Sequence, residues 1–159
     1  MKQIIYFAMI FMVYTACRQE FGKVILPDNY PAGIEQYMDQ QKYMIMIYVD
    51  SSDCTPCSLK HLFSWDSYRD KFEKNGVGIL LIFRNTDERV VSRAVKLIGT
   101  FHYVFDSGGK FKADNKFYKY VKNNIFVMDR DNNVIMTESP LANEKAWKSF
   151  IKIIVNRNK

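Results

Sequence analysis

Apolar residues recur along this chain in three patterns. Met44-Ile45-Met46-Ile47-Tyr48-Val49 and the stretch from Val77 to Phe83 are continuous apolar runs. Such runs mark strands buried on both faces, in a sheet covered by helices. A second pattern has helical spacing. Ile34, Tyr37 and Met38 predict a helix over 32–42. Leu59, Leu62, Phe63 and Phe72 predict one that leaves the first strand and runs to about Glu73, ended by Lys74-Asn75-Gly76. Asn85-Thr86-Asp87-Glu88 opens another, with Val90, Val91, Ala94, Val95 and Ile98 as its apolar face and Gly99 closing it. Trp147, Phe150, Ile151 and Ile154 share one face of a final amphipathic helix, with lysines opposite. The third pattern is short. His102 to Asp106 reads as a brief strand, Ser107-Gly108-Gly109 as a loop and Asn115 to Val121 as a short helix. Ile125 to Asp129 and Asn133 to Thr137 flank Arg130-Asp131-Asn132 as a hairpin, with Asp129 and Asp131 as turn residues.

Strands alternating with helices imply parallel pairing, while the tight turn near residue 131 makes the last two strands antiparallel. The fold class is therefore α/β, a central mixed sheet flanked by helices. At 159 residues, with no repeat or second-domain linker, the chain makes one domain with one sizeable core.

The first residues follow a different pattern. Lys2 precedes an apolar run from Ile4 to Val13, then Tyr14-Thr15-Ala16-Cys17 and the polar Arg18-Gln19-Glu20. This is a secretory signal, too short to span a bilayer stably. A cysteine directly after Thr-Ala resembles the bacterial lipoprotein signal, which implies lipidation of Cys17 as the mature N-terminus. Tyr14 stands where that signal usually has Leu or a similar aliphatic, and an ordinary cleaved signal or an uncleaved anchor is the alternative. The expected organisation is a lipoprotein signal peptide over 1–16, a tether over 17–31 that contains Pro27 and Pro31, and the folded domain over 32–159. The domain is expected at the bacterial cell envelope, lipid-anchored and facing the periplasm or cell exterior, where disulfide chemistry is permitted.

A charged fraction of 25% beside 48% apolar residues excludes a disordered or fibrous chain. The net charge of +6 permits an acidic partner surface without demanding one. Lys110, Lys112, Lys116, Lys119 and Lys122 interleave with Phe111, Phe117, Tyr118 and Tyr120, which superficially resembles a nucleic-acid surface. In an exported protein the better reading is solvated lysines with aromatics on the core, and no nucleic-acid partner is expected. His61 and His102 have no evident Ser or Asp partner, and Trp65 and Trp147 read as core or rim.

Candidate chemistry lies in Ser51-Ser52-Asp53-Cys54-Thr55-Pro56-Cys57, between the first strand and its helix. Three cysteines less a lipidated Cys17 leave one pair, Cys54 and Cys57, with no further thiol to resolve it. If Asp53 or Ser52 caps the helix, Cys54 lies in its first turn, where unpaired N–H groups and the helix dipole favour a thiolate. Pro56 is tolerated there because first-turn N–H groups lack intrahelical partners. Cys54 is then the nucleophile and Cys57 the resolving thiol. No metal is expected, since zinc needs ligands that His61 and His102 do not supply at structural-site spacing, and no cofactor is called for.

A Cys-x-x-Cys after the first core strand, in this order of elements, resembles the thioredoxin-like family. The helix-strand piece between Phe83 and Asp106 resembles the insertion of its extracytoplasmic TlpA/ResA-type branch of thiol-disulfide oxidoreductases. Ile125-Phe126-Val127-Met128-Asp129-Arg130-Asp131-Asn132 is similar to that branch's strand, acidic turn and strand. The likeness covers roughly residues 32–155. It implies a thioredoxin-like fold, with protein thiols and disulfides and a redox protein as partners. Two positions depart from the family pattern. Asp53 stands where an aromatic residue usually precedes the first cysteine, and Asn123, or Asn124, stands where a cis-proline usually packs against the disulfide. A trans bond is expected there, because a cis bond before a non-proline residue costs about 2.5–4 kcal/mol. Two alternatives stand beside the oxidoreductase, the first of them on the strength of these departures. One is a non-catalytic thioredoxin-like binding module with a structural disulfide. The other is a peroxiredoxin-like peroxidase, which Ser51 fits and Ile47, in place of a required proline, does not.

Overall fold

The computed structural model describes residues 21–27, 30–50, 65–84, 87, 89, 91–92 and 101–157. Helix α1 (Ala32–Asp39) leads into strand β1 (Tyr43–Val49). Helix α2 (65–73) precedes strand β2 (Val77–Arg84), and strand β3 (His102–Asp106) follows. A single turn, α3 (Phe111–Asp114), and a 3-10 turn (Lys116–Tyr120) cross to the hairpin of β4 (Ile125–Asp129) and β5 (Val134–Met136). Helix α4 (Glu144–Arg157) closes the described chain.

The five strands form one sheet in the order β3-β2-β1-β4-β5. β1 pairs parallel with β2 and antiparallel with β4, β2 pairs parallel with β3, and β4 with β5 is antiparallel. The expected mixed sheet and hairpin are therefore present. The helix-strand piece read from the sequence places β3 at the sheet edge. Of its helix, residues 89, 91 and 92 are described, and Val91 is fully buried.

All seven residues of β1 are buried, as its unbroken apolar run predicts for a central strand. Alternate side chains enter opposite layers. Tyr43, Ile45, Ile47 and Val49 pack with Trp65 and Phe72 of α2 and with Ala146, Phe150 and Ile154 of α4. Met44, Met46 and Tyr48 face Ile34 of α1, Phe111, Phe117 and Val24. Helix α2 stops as expected, with Gly76 in the left-handed region at φ 68°. The Gly76 carbonyl then accepts the N–H groups of Lys42 and Tyr43, which ties the turn to the start of β1.

Two sequence readings need correction here. Ile151 was expected on the buried face of α4, but it is 38% exposed, and Ala146 joins Phe150 and Ile154 inside instead. Residues 110–114, for which the pattern predicts no element, contain the turn α3. The tether reading over 17–31 also takes on structure. From Phe21 to Leu26 the segment lies against the domain, with Val24 buried and Lys23 bridged to Asn133.

Phe150 is completely buried and meets Phe72 at 5.9 Å and Trp147 at 6.2 Å between ring centroids. Phe150→Ala should cost about 3–5 kcal/mol through lost burial and the cavity left behind. The check is the urea midpoint at unchanged m value. A loss under about 1 kcal/mol would show that α4 does not seal this layer.

Candidate active site at the carboxyl edge of the sheet

In open α/β sheets, ligand sites gather beyond the carboxyl ends of the parallel strands, where strand order reverses. β1 has that position, between parallel β2 and antiparallel β4. Its carboxyl end runs into the cysteine stretch. Asp53, Cys54, Thr55, Pro56 and Cys57 lie outside the described residues, as do Cys17, Ser51, Ser52 and His61. What the structure describes is the frame around that stretch.

β2 and β3 end in charged residues, and a charged residue directly follows β1. Val49 pairs with Phe83 and Arg84 with Asp106, so Asp50, Arg84 and Asp106 form a row across the carboxyl edge. Asp50 is buried, and its Oδ2 lies 3.1 Å from the Lys112 Nζ and 3.5 Å from an Arg84 guanidinium nitrogen. The Lys112 ammonium also sits 4.7 Å from the centre of the Tyr48 ring and 5.2 Å from that of Tyr118. Lys112 is thus no merely solvated lysine, which corrects the sequence reading of this segment. An aromatic floor and a buried carboxylate hold it, and both attract a cation in a poorly hydrated setting. Gly109, at φ 63°, sits where an added Cβ would come within 2.7 Å of the Arg84 Nε. A side chain there would collide with the guanidinium and strain the turn.

Asp106 is 4% exposed. Its Oδ2 accepts hydrogen bonds from the Tyr48 hydroxyl at 2.9 Å and the Phe111 N–H at 3.2 Å, and its Oδ1 accepts the Lys110 N–H at 3.0 Å. The carboxylate so satisfies donors at the start of α3 that lack intrahelical partners. Burial pushes the Tyr48 phenol well above its ordinary value, and the bond to Asp106 and the charges of Asp106 and Asp50 push it further. A raised folded pKa stabilises the protein fully below the unfolded value of about 10, and that contribution is lost as pH rises beyond it. Burial raises the Tyr37 phenol too. Stability should therefore fall above about pH 10, and Tyr48→Phe should make that fall shallower. Urea titrations at successive alkaline pH values decide it, and an identical slope in the variant would reject the assignment.

Asn123 and Asn124 both have left-handed backbones, at φ 54° and 57°. The Ile125 N–H donates to the Lys122 carbonyl across them, the pattern of a type I′ turn. No described peptide bond is cis. The Asn124 carbonyl accepts the Tyr48 N–H at 2.9 Å, and its Oδ1 accepts the Tyr118 hydroxyl at 2.8 Å. Asn124 is thereby tied to the end of β1, while Asn123 is exposed at the turn's tip.

Other candidates lie elsewhere. His102 opens β3 at the opposite edge and stacks on Tyr37 at 3.7 Å between centroids. Burial lowers its pKa, against the pull of Glu73. Asp129 is a turn residue as expected, its Oδ1 accepting the N–H groups of Asp131 and Asn133. Among the described residues no group of three or more His, Cys, Asp or Glu could hold a metal, and no helix is long and apolar enough to cross a membrane. Sequence reasoning passed over Asp50, Arg84 and Asp106. The signal that would have found them is a charged residue at the end of β2 and β3 and directly after β1.

No protein-family model and no curated protein matches this chain. Solved structures do. The thioredoxin domain of a thiol-disulfide oxidoreductase from Bacteroides vulgatus is 14% identical, with a TM-score of 0.54 over 73% of this chain and 81% of that one. A thiol:disulfide interchange protein from Bacteroides sp. is 15% identical, with a TM-score of 0.53 over 76% of this chain and 77% of that one. At such identities the likeness is one of fold. The five-stranded mixed sheet with helices on both faces is the thioredoxin-like fold.

Proposed function

From that fold as premise, we propose that the chain is an envelope-anchored thiol-disulfide oxidoreductase working through Cys54 and Cys57. The observation that carries the reading is the central position of β1, whose carboxyl end lies at the sheet's switch point and is followed in the sequence by Cys54 and Cys57. The thiolate of Cys54 attacks a target disulfide. A mixed disulfide forms, and the displaced target sulfur leaves as a thiolate and takes up a proton. Cys57, deprotonated, then attacks the Cys54 sulfur and releases the second target thiol. Two electrons pass to the target, and the pair ends as a disulfide that a separate dithiol protein must reduce.

The pairing of Asp50 and Asp106 with Arg84 and Lys112 is compatible with this reading. Cys54 follows Asp50 by four residues, a span of at most about 14 Å. Arg84 and Lys112 offset Asp50 and Asp106 at this edge, so the row adds no net negative charge against a thiolate favoured by a helix N-terminus. The test is the redox equilibrium of the pair against glutathione, together with trapping by Cys57→Ala. Disulfide-linked target proteins on Cys54 are expected. A pair that never equilibrates and a variant that traps nothing would sink the reading.

One observation favours the second reading, a binding module with a structural disulfide. Asn123 or Asn124 stands in the sequence where the resemblance puts a peptide-holding proline, and Asn124 is fastened to Tyr48 and Tyr118. A module of that kind would keep its disulfide through the glutathione titration. For the anchor, we propose lipidation of Cys17. The intact mass of the mature protein tests it, and any other unmodified N-terminus rejects it.

A further inference from the structure

The segment after Cys17 is clasped to the domain. Asn115 is 1% exposed, and its side chain pairs with the Ile25 backbone as a strand edge would. The Ile25 N–H donates to Oδ1 at 2.7 Å, and Nδ2 donates to the Ile25 carbonyl at 2.8 Å. Phe21 meets the Tyr120 ring at 6.1 Å, and the Val24 N–H donates to the Asn132 carbonyl at 2.8 Å. The chain therefore enters the domain beside the 3-10 turn, on the face opposite α4.

Phe21 follows Cys17 by four residues, which span at most about 14 Å. With Cys17 held in a bilayer, this entry face is kept near the lipid surface. Its chemistry suits that position. Lys23, Lys116 and Lys119 are exposed, Lys119 lies over the Tyr120 ring, and Tyr120 and Ile25 are 48% and 54% exposed. Between residues 110 and 122 Asp114 is the one acidic residue. Lysines beside an exposed aromatic and an aliphatic side chain match the headgroup zone of a negatively charged membrane.

We propose that the face formed by the 21–26 segment and the 3-10 turn docks on an anionic phospholipid surface. It thereby fixes the domain's orientation and turns α4 away from the membrane. The proposal rests on the reading that Cys17 is lipidated. The outer face of α4 is the internal control, since Lys145, Lys148 and Lys152 line it too, with Glu144 paired to Lys148.

The test is amine acetylation of the full mature protein on vesicles, read lysine by lysine by mass spectrometry. On phosphatidylglycerol vesicles, Lys23, Lys116 and Lys119 should label about fivefold more slowly than on phosphatidylcholine vesicles, the factor expected of one lysine near an anionic surface. Lys145, Lys148 and Lys152 should not change, and high salt should abolish the difference. Equal labelling of both faces in a chain whose mass shows acylated Cys17 overturns the docking face alone. Slowing confined to α4, or slowing that follows protein concentration instead of lipid charge, overturns it as well, the latter in favour of a second copy. An unacylated Cys17 overturns the anchor and the docking face with it.

Discussion

Cys54→Ser should reduce insulin-disulfide reduction to the level of the uncatalysed reaction, while the urea midpoint of the variant, measured under reducing conditions, stays close to that of the parent chain. The loss is expected to be complete because the step is a sulfur exchange. A thiolate displaces one sulfur of a disulfide and keeps a sulfur–sulfur bond that Cys57 then breaks. A serine hydroxyl stays protonated at neutral pH and offers no sulfur to form the mixed disulfide. Cys57→Ala should behave differently, because it keeps the nucleophile and removes only the release step. It should turn over poorly and accumulate linked targets. Full activity in Cys54→Ser would refute the oxidoreductase reading. Inactivity in both variants, with no trapped target and a disulfide that resists glutathione, would favour the binding module. Neither outcome depends on where the chain is anchored.

Asp106→Ala should cost about 3–5 kcal/mol, at about 1–3 kcal/mol for each buried donor left without its partner, reduced where water enters. Three donors converge on this carboxylate, from Tyr48, Lys110 and Phe111, and Asp106 is almost fully buried. In a chain of this size the loss should lower the melting temperature by about 6–20 °C, at roughly 2–4 °C per kcal/mol. Asp106→Asn keeps one acceptor oxygen and should lose clearly less. The Tyr48 phenol supplies an independent readout. With the carboxylate gone, its pKa should come down toward the ordinary tyrosine value, visible in the ultraviolet titration of phenolate. An alanine variant as stable as the parent, with an unmoved tyrosine titration, would show that the bonds at β3 do not carry this edge.

Much of the framework was legible because its signals are local. A central strand must be apolar on both faces, so Met44 to Val49 and Val77 to Phe83 announce β1 and β2 without reference to the rest of the chain. Lys74-Asn75-Gly76 stops α2 through a left-handed glycine. Asp129 and Asn132 shape the hairpin by bonding within four residues. Ile151 shows where the local signal misleads, since helical spacing places it beside the apolar stripe, yet the buried stripe runs through Ala146, Phe150 and Ile154 and leaves it exposed. At the candidate site, the sequence isolated the cysteine pair by spacing and count. It offered no view of what lies beside β1's carboxyl end.

The sequence by itself determined the α/β class, the two buried strands, the final hairpin and the single pair of cysteines that follows β1. Tertiary structure alone decided which charges meet. Asp50 and Lys112 are 62 residues apart, Tyr48 and Asp106 are 58 apart, and Ile25 and Asn115 are 90 apart. No periodicity records such pairs. Hydrophobic patterning assigns a side chain to a face, whereas an ion pair across a sheet edge depends on strand order and register, which arise only when distant segments pack. The same register that aligns Arg84 with Asp106 turned an apparently ordinary surface lysine, Lys112, into a cation held between a buried carboxylate and two aromatic rings.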